Sequence, residues 1–301
     1  MPNKQKFKHI NTYIPEKIKA GNAIYEMVFG SVAEKRESFN WKPYLPTRER
    51  QWWIPFCVIF SRLDCGEAVA KKSGLEINGS DRRLGVESET TKNGNTLDKV
   101  SDCFRKKGVD QEKDTPFEPA MINDGWSMWD KIFDLPEAGK RFFGGSHSWV
   151  LSKSAMINAL DHSPLQIAVG DNNENWERDG EVQNPDKIDF YHAVYIYYID
   201  IQGRMYVRDS CGKAEKILNK DYPIQWCKSF RDLPENWKEI NMNNFVKIIK
   251  DKNSSAVGFW LPATSEDALT TLALGFNKTI EKKEDGTVDW EKIIEGTLEL
   301  K

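Results

Sequence analysis

Cysteine and histidine are both scarce in this chain of 301 residues: there are five of the first (Cys57, Cys65, Cys103, Cys211, Cys227) and four of the second (His9, His147, His162, His192). An odd set of cysteines without paired CxxC spacing excludes a disulfide framework and a structural zinc site, so reduced thiols are expected. No stretch approaches the roughly 18 apolar residues of a membrane span. The basic N-terminus, MPNKQKFKHINTYIPEK, lacks the apolar core of a signal peptide, which makes a cytoplasmic protein the default expectation. An excess of one charge is missing too: 43 Lys and Arg face 46 Asp and Glu, for a net charge of −3. With no basic run interleaved with aromatics, neither a nucleic acid nor a membrane is expected as a partner.

What is present is apolar material, 39% of residues with 12% aromatic and a mean hydropathy of −0.63, enough for one large core or two modest ones. No internal repeat interrupts it. Residues 1–38 are mixed and charged and read as an N-terminal extension. FNWKPYLPTRERQWW carries Pro43 and Pro46, which predicts extended chain leading into a helix opened near Pro55. Phe56, Ile59, Phe60, Leu63 and Ala70 then keep helical spacing, while Arg62, Asp64, Glu67, Lys71 and Lys72 fall mostly on other faces. GLEINGSDRRLGVESETTKNGN is polar and glycine-punctuated and reads as loop; TLDKVSDCFRKKG reads as a helix stopped at Gly108. After a further helix, SKSAMINALDH, the signal changes to strands in PLQIAVG, YHAVYIYYID and RMYVRDS. Helix first and strand second predicts an α+β protein in two lobes. The acidic GDNNENWERDGEV tempts a calcium reading, but Trp176 stands where an EF-hand needs glycine and Val182 where it needs glutamate, so a solvated loop is expected.

One cysteine sits where chemistry is possible. Cys57, inside IPFCVIF, falls in the first turn of the predicted helix, where the positive end of the macrodipole and unpaired N–H groups would lower its pKa. A nucleophilic thiol needs a base and a group to orient that base. If Ile201 and Gln202 form a two-residue hairpin loop, Asp200 pairs with Gly203, Asp209 lies opposite Val194, and His192 is one diagonal step away on the same face. A slip of one residue would put Asp209 on the other face.

These residues carry a resemblance. QWWIPFCVIFS resembles the papain-like cysteine peptidase pattern of a glutamine, five intervening residues and the nucleophile, with Gln51 and Cys57 at that spacing. YHAVYIYYIDIQGRMYVRDSCG resembles the same family's His-Ala-Val strand followed by Asn-Ser-Trp-Gly, and KNGN lies near its glycine pair. FNWK, CFRKKGV leading to TPF, and ALDHSPLQIAV follow in the family's order, so the resemblance spans about residues 39–260. It implies a two-lobed fold, a helical lobe plus an antiparallel β-barrel-like lobe with a cleft between them. The peptidase domain would cover 39–261 (helical lobe mainly 55–150, β lobe mainly 160–261), after an extension or short pro-segment at 1–38 and before an extension at 262–301. It also implies roles: Cys57 as nucleophile, His192 as general base and later acid, Asp209 orienting the imidazole, Gln51 in the oxyanion hole, and Gly94 and Asn95 along the substrate. The reaction is peptide-bond hydrolysis through an acyl-enzyme, and no metal or organic cofactor is required.

Departures from the pattern accompany the match. Asp209 stands where many members have asparagine, Ile54 where a disulfide cysteine is common, and Cys211 where a tryptophan shields the third residue. Trp52, Trp53, Pro55 and Phe56 replace small residues ahead of the nucleophile. Two alternatives therefore stand beside a peptidase: a transglutaminase or amidase using the same Cys-His-Asp set, and a catalytically silent scaffold that binds an assembly partner through residues 262–301.

Overall fold

A computed structural model describes residues 12–29, 36–118, 120–121 and 127–232, together with the backbone of 245–247 and 260–262. Compact units fall at residues 1–235 and 236–301. In the second, β8 (Phe245–Lys247) pairs antiparallel with β9 (Trp260–Pro262). The C-terminal extension expected from residue 262 lies, beyond that residue, outside the described residues.

In the first unit the chain forms α1 (Tyr25–Phe29), a 3-10 turn at Lys42–Tyr44, α2 (Cys57–Lys72), α3 (Asp81–Glu87) and α4 (Leu97–Lys107) before its first strand. The strands are β1 (Ser146–Trp149), β2 (Leu165–Asp171), β3 (Glu181–Val182), β4 (Phe190–Ile199), β5 (Met205–Arg208), β6 (Glu215–Leu218) and β7 (Ile224–Arg231). They make one sheet in the order β1-β7-β2-β4-β5-β6-β3, antiparallel except for the β3–β6 pair. Helices precede sheet, as the change of sequence pattern predicts.

Helix α2 is the pillar between two apolar clusters. Cys65, Ala68 and Val69 on one side join the core that β2 and β4 supply with Ile167, Val169, Val194 and Ile196. Phe56 and Phe60 on the other side meet the ring of Phe117 at 5.5 and 6.4 Å. Gly85 of α3 is required there, because a Cβ would lie 2.0 Å from the Phe56 ring. Being covered all round, α2 also buries residues that its amphipathic pattern placed on outward faces. Arg62 is fully buried, its guanidinium 4.7 and 3.9 Å from the rings of Phe104 and Phe230 and paired with Asp232 at 2.7 Å. Glu67 is buried too and accepts the Gly79 N–H at 2.8 Å.

Other local expectations give way to tertiary contacts. The stretch read as loop contains α3, capped by Ser80, whose side chain accepts the Arg83 N–H. Its polarity misled because Arg82 and Arg83 turn inward: Arg82 donates to the carbonyls of Ile132 and Lys131 at 3.0 and 2.8 Å, and Arg83 donates to Asp110 at 2.9 Å. Helix α4 keeps its predicted limits, with Thr96 capping the start and Gly108 ending it at φ +70. Of the two prolines near residue 45, Pro43 lies inside a 3-10 turn instead of an extended run, since proline is tolerated in the first turn of a helix, and Pro46 follows it.

Candidate active site

Two anchors fix Cys57 at the first position of α2. Pro55 precedes the helix, and Gln166 of β2 donates its side-chain amide to the Val58 carbonyl at 2.7 Å and to the Ser61 hydroxyl at 2.8 Å. That hydroxyl donates in turn to the Cys57 carbonyl at 2.7 Å. The first turn of the helix is thereby bolted to the middle of the sheet. Cys57 is fully buried, and its sulfur accepts the Ala193 N–H of β4 at 3.3 Å.

His192 sits one residue earlier on β4, paired with Val169 of β2. The hairpin that carries Asp209 toward it differs from the expected one near its tip. Ile201–Gly203 form a three-residue loop, with the Asp200 N–H on the Arg204 carbonyl at 3.1 Å and Gly203 at φ +84. Ile199 therefore faces Met205, one residue off the anticipated register. A bulge between Ile196 and Tyr198 takes the slip back, so Tyr195 faces Arg208, as the two-residue loop would have required. Asp209 then follows on the His192 side, and its Oδ1 lies 2.7 Å from His192 Nε2.

Asp209 is buried and held from several directions. Its Oδ1 also accepts the Cys211 N–H at 2.7 Å, and its Oδ2 accepts the Trp176 indole N–H at 2.9 Å. The Lys216 ammonium is 3.2 Å from the same Oδ2. Trp176, fully buried, also meets the His192 ring edge-on at 6.2 Å. The acidic stretch taken for a solvated loop thus contains a short helix, Asn173–Trp176, whose last residue is buried against Asp209. Trp176 covers the carboxylate in place of the tryptophan that Cys211 replaces.

The space between sulfur and imidazole holds a segment of the N-terminal extension. The Thr12 hydroxyl is 3.0 Å from Cys57 Sγ, as donor, and 3.3 Å from His192 Nδ1. A hydroxyl has one proton, so while it donates to sulfur the imidazole must donate to its oxygen; with a neutral imidazole accepting at Nδ1, the order reverses. Thr12 N–H donates to the Tyr191 carbonyl at 3.2 Å, and Ile14 N–H to the Asn95 carbonyl at 2.9 Å, with Tyr13 bridged in parallel to Asn95. Gly94, at φ +93, lets this strap in: a Cβ there would stand 1.9 Å from the Thr12 carbonyl oxygen. Farther along, Glu16 caps α4, its Oε1 accepting the Leu97 N–H at 2.7 Å and its Oε2 the Asp98 N–H at 3.3 Å. Gly94 and Asn95, expected along a substrate, here hold the chain's own residues.

Gln51 is buried, with one amide proton on the Ile54 carbonyl at 2.9 Å and its oxygen accepting the Ser210 hydroxyl at 2.6 Å. That second bond ties the segment before α2 to the one after Asp209. With the strap in place, burial pushes the Cys57 thiol up to about 12, outweighing the Thr12 and Ala193 donors. This corrects the lowered value expected at a helix start: the macrodipole acts, but desolvation of a fully covered thiolate is larger. All five cysteines are free and buried.

No family model and no curated protein matches the chain. Solved structures do. Xylellain, a cysteine protease from Xylella fastidiosa, aligns over 76% of this chain and 97% of its own with a TM-score of 0.58 at 14% identity. The bromelain protease from Ananas comosus, in complex with the E64 inhibitor, gives 0.52 over 66% and 99% at 16% identity. The Carica candamarcensis cysteine protease CMS1MS2, in complex with E-64, gives 0.51 over 65% and 98% at 13%.

The chain has the papain-like cysteine-protease fold. Within the papain-like fold, Cys57 at a helix start and His192 on a strand are brought to one hydroxyl, with Asp209 behind the imidazole. Sequence reasoning missed Thr12, Trp176 and Lys216. Thr12 lies in a segment with no periodicity; Trp176 was hidden among acidic neighbours, where a lone tryptophan was the available signal; Lys216 stands beside Glu215 in EKIL and carries no mark of burial. Among the described residues no helix is long and apolar enough to cross a membrane.

Proposed function

We propose that this chain is a papain-like cysteine peptidase held latent by its own N-terminal strap. The observation that carries the reading is the line of hydrogen bonds from Cys57 through the Thr12 hydroxyl and His192 to Asp209. With the strap withdrawn, His192 Nδ1 takes the Cys57 proton, and water reaching the cleft removes the desolvation that holds the thiol neutral. The thiolate attacks the carbonyl carbon of a peptide bond. The oxyanion is received by the Cys57 N–H, in a helix turn whose N–H groups have no partner within the helix, and by the Gln51 side-chain amide. His192 delivers its proton to the leaving amine, leaving a thioester, and then takes a proton from the water that hydrolyses it. Asp209 keeps the imidazole oriented with Nδ1 toward sulfur. Gly94 and Asn95 offer backbone to the substrate once Tyr13 and Ile14 have left, and the partner is a peptide or protein.

The strap is an occupant and not a substrate. Its hydroxyl meets the sulfur, while the Thr12 carbonyl is turned to the Gly94 wall. Peptide-library hydrolysis read by mass spectrometry tests the proposal in a Tyr13→Ala chain and in the same chain carrying Cys57→Ala. Cleavage by the first and none by the second is expected. No cleavage by either between pH 4 and 9 would overturn it, and ligated or deamidated products in place of cleaved ones would favour a transglutaminase or amidase.

A further inference from the structure

We propose that Lys216 is a positioning residue that sets the protonation balance of His192 by neutralising Asp209 from its far side. Its consequence for rate rests on the peptidase reading above; its effect on the imidazole does not. Lys216 lies on β6, 5% exposed, with its ammonium donating to the Lys213 carbonyl at 2.8 Å. That ammonium is 3.1 Å from Glu177 Oε1, 3.2 Å from Asp209 Oδ2 and 5.2 Å from the centre of the Trp176 ring. Burying an ammonium is costly unless an opposite charge is buried beside it, and the two carboxylates here are unequal. The Glu177 side chain is 25% exposed, so water screens it, whereas that of Asp209 is fully covered. The lysine field therefore acts chiefly on Asp209.

The two oxygens of Asp209 divide their partners. Oδ1 receives His192 Nε2 and the Cys211 N–H; Oδ2 receives the Trp176 N–H and Lys216. A carboxylate paired with a buried ammonium presents His192 with an acceptor of fixed direction and little net charge. An asparagine oxygen at the same place would do the same. A bare carboxylate would hold the imidazolium more firmly and make it a poorer proton donor to a leaving group. The other groups facing this pair include a second cation, Arg48, which Asp209 also attracts, and they stay the same in every variant compared below. Arg48 donates to the carbonyls of Asp209 and Gly212 at 2.9 and 2.8 Å, Cys211 follows Asp209 in the chain, and Cys57 reaches His192 through Thr12.

The test is nitrogen NMR titration of His192 in the full-length chain, labelled at its four histidines and assigned with a His192→Asn sample. Lys216→Gln keeps an N–H donor and removes only the charge; Lys216→Arg keeps the charge. At an effective dielectric of roughly 20–40, loss of the charge should raise the His192 midpoint by about one pH unit. Lys216→Arg should stay within about 0.3 units of wild type, and Asp209→Asn/Lys216→Gln should return toward it. In hydrolysis assays the alkaline limb of the kcat/KM profile should rise with the midpoint in Lys216→Gln. A His192 midpoint that is the same in wild type and Lys216→Gln, or a ring that titrates in neither between pH 4 and 10, would overturn the proposal. A shifted midpoint in a chain that hydrolyses no peptide would leave it standing and count against the peptidase reading.

Discussion

Replacing Tyr13 with alanine should expose Cys57 about a hundredfold more often while leaving the rest of the fold closed. Tyr13 is 2% exposed and is the largest side chain the strap buries beside the cleft, between the backbone bonds made by Thr12 and Ile14. Truncating a buried aromatic costs about 3 kcal/mol. If that cost falls on the docked strap alone, the open fraction rises by about 150-fold, because 1.4 kcal/mol is a factor of ten. The assay is alkylation by iodoacetamide with each thiol read by peptide mass spectrometry, under conditions where opening and closing outpace the chemistry. Five buried thiols make the control internal: Cys65 and Cys227 lie in the main core and report unfolding of the domain, whereas Cys57 reports the strap. The expected result is fast labelling at Cys57 with Cys65 and Cys227 as slow as in wild type. Equal acceleration at all three, or no acceleration at Cys57, would refute the idea of a strap that opens separately.

Further outcomes follow from buried charges. Burial raises Glu16 to about 6 from an ordinary value near 4.5, so the docked strap holds this proton more tightly than the free one. Docking should strengthen as pH falls from 6 toward 4.5 and weaken by up to ~2 kcal/mol as pH rises through 6. Glu16→Gln should remove that dependence, checked by Cys57 labelling relative to a free thiol at each pH. Asp232→Ala should destabilise the domain by about 3–5 kcal/mol in urea melts, since it strands the buried Arg62 guanidinium and removes the acceptor of the Gly145 N–H at 2.6 Å. Asp81 is buried, and desolvation pushes its carboxyl well above the usual range. Its contribution is greatest in acid and is lost as pH rises through the raised value, so Asp81→Asn should stabilise the protein at pH 8 and leave it unchanged at pH 4 in thermal melts.

Segments with strong periodicity or strong end signals were legible in the sequence, and those whose polar residues turn inward were not. Thr96 and Gly108 bracket α4 as read, and the β-branched and aromatic runs became β2, β4 and β5. Helix α3 escaped because Arg82 and Arg83 satisfy backbone carbonyls that no local pattern reveals. The hairpin shows how a wrong local guess can leave a correct distant one. The loop has three residues where two were expected, yet a bulge restores the pairing that brings Asp209 to His192. For the site, the spacing of Gln51, Cys57, His192 and Asp209 was visible through a family resemblance, while the strap over it was not. Thr12 has no sequence mark, and its place is defined by Gly94 and Tyr191, about 80 and 180 residues away. Burial of Cys57 reversed the expected direction of its pKa, against the lowering effect of the Thr12 and Ala193 donors.

The central claim, that Cys57 is a nucleophile served by His192 once the strap departs, is tested most directly by a peptidyl epoxide and intact-mass analysis. The account predicts one adduct per chain, located at Cys57, formed faster in Tyr13→Ala, absent in Cys57→Ala and slowed at least a hundredfold in His192→Ala. No adduct at any pH from 4 to 9, or an adduct that persists in Cys57→Ala, would contradict it.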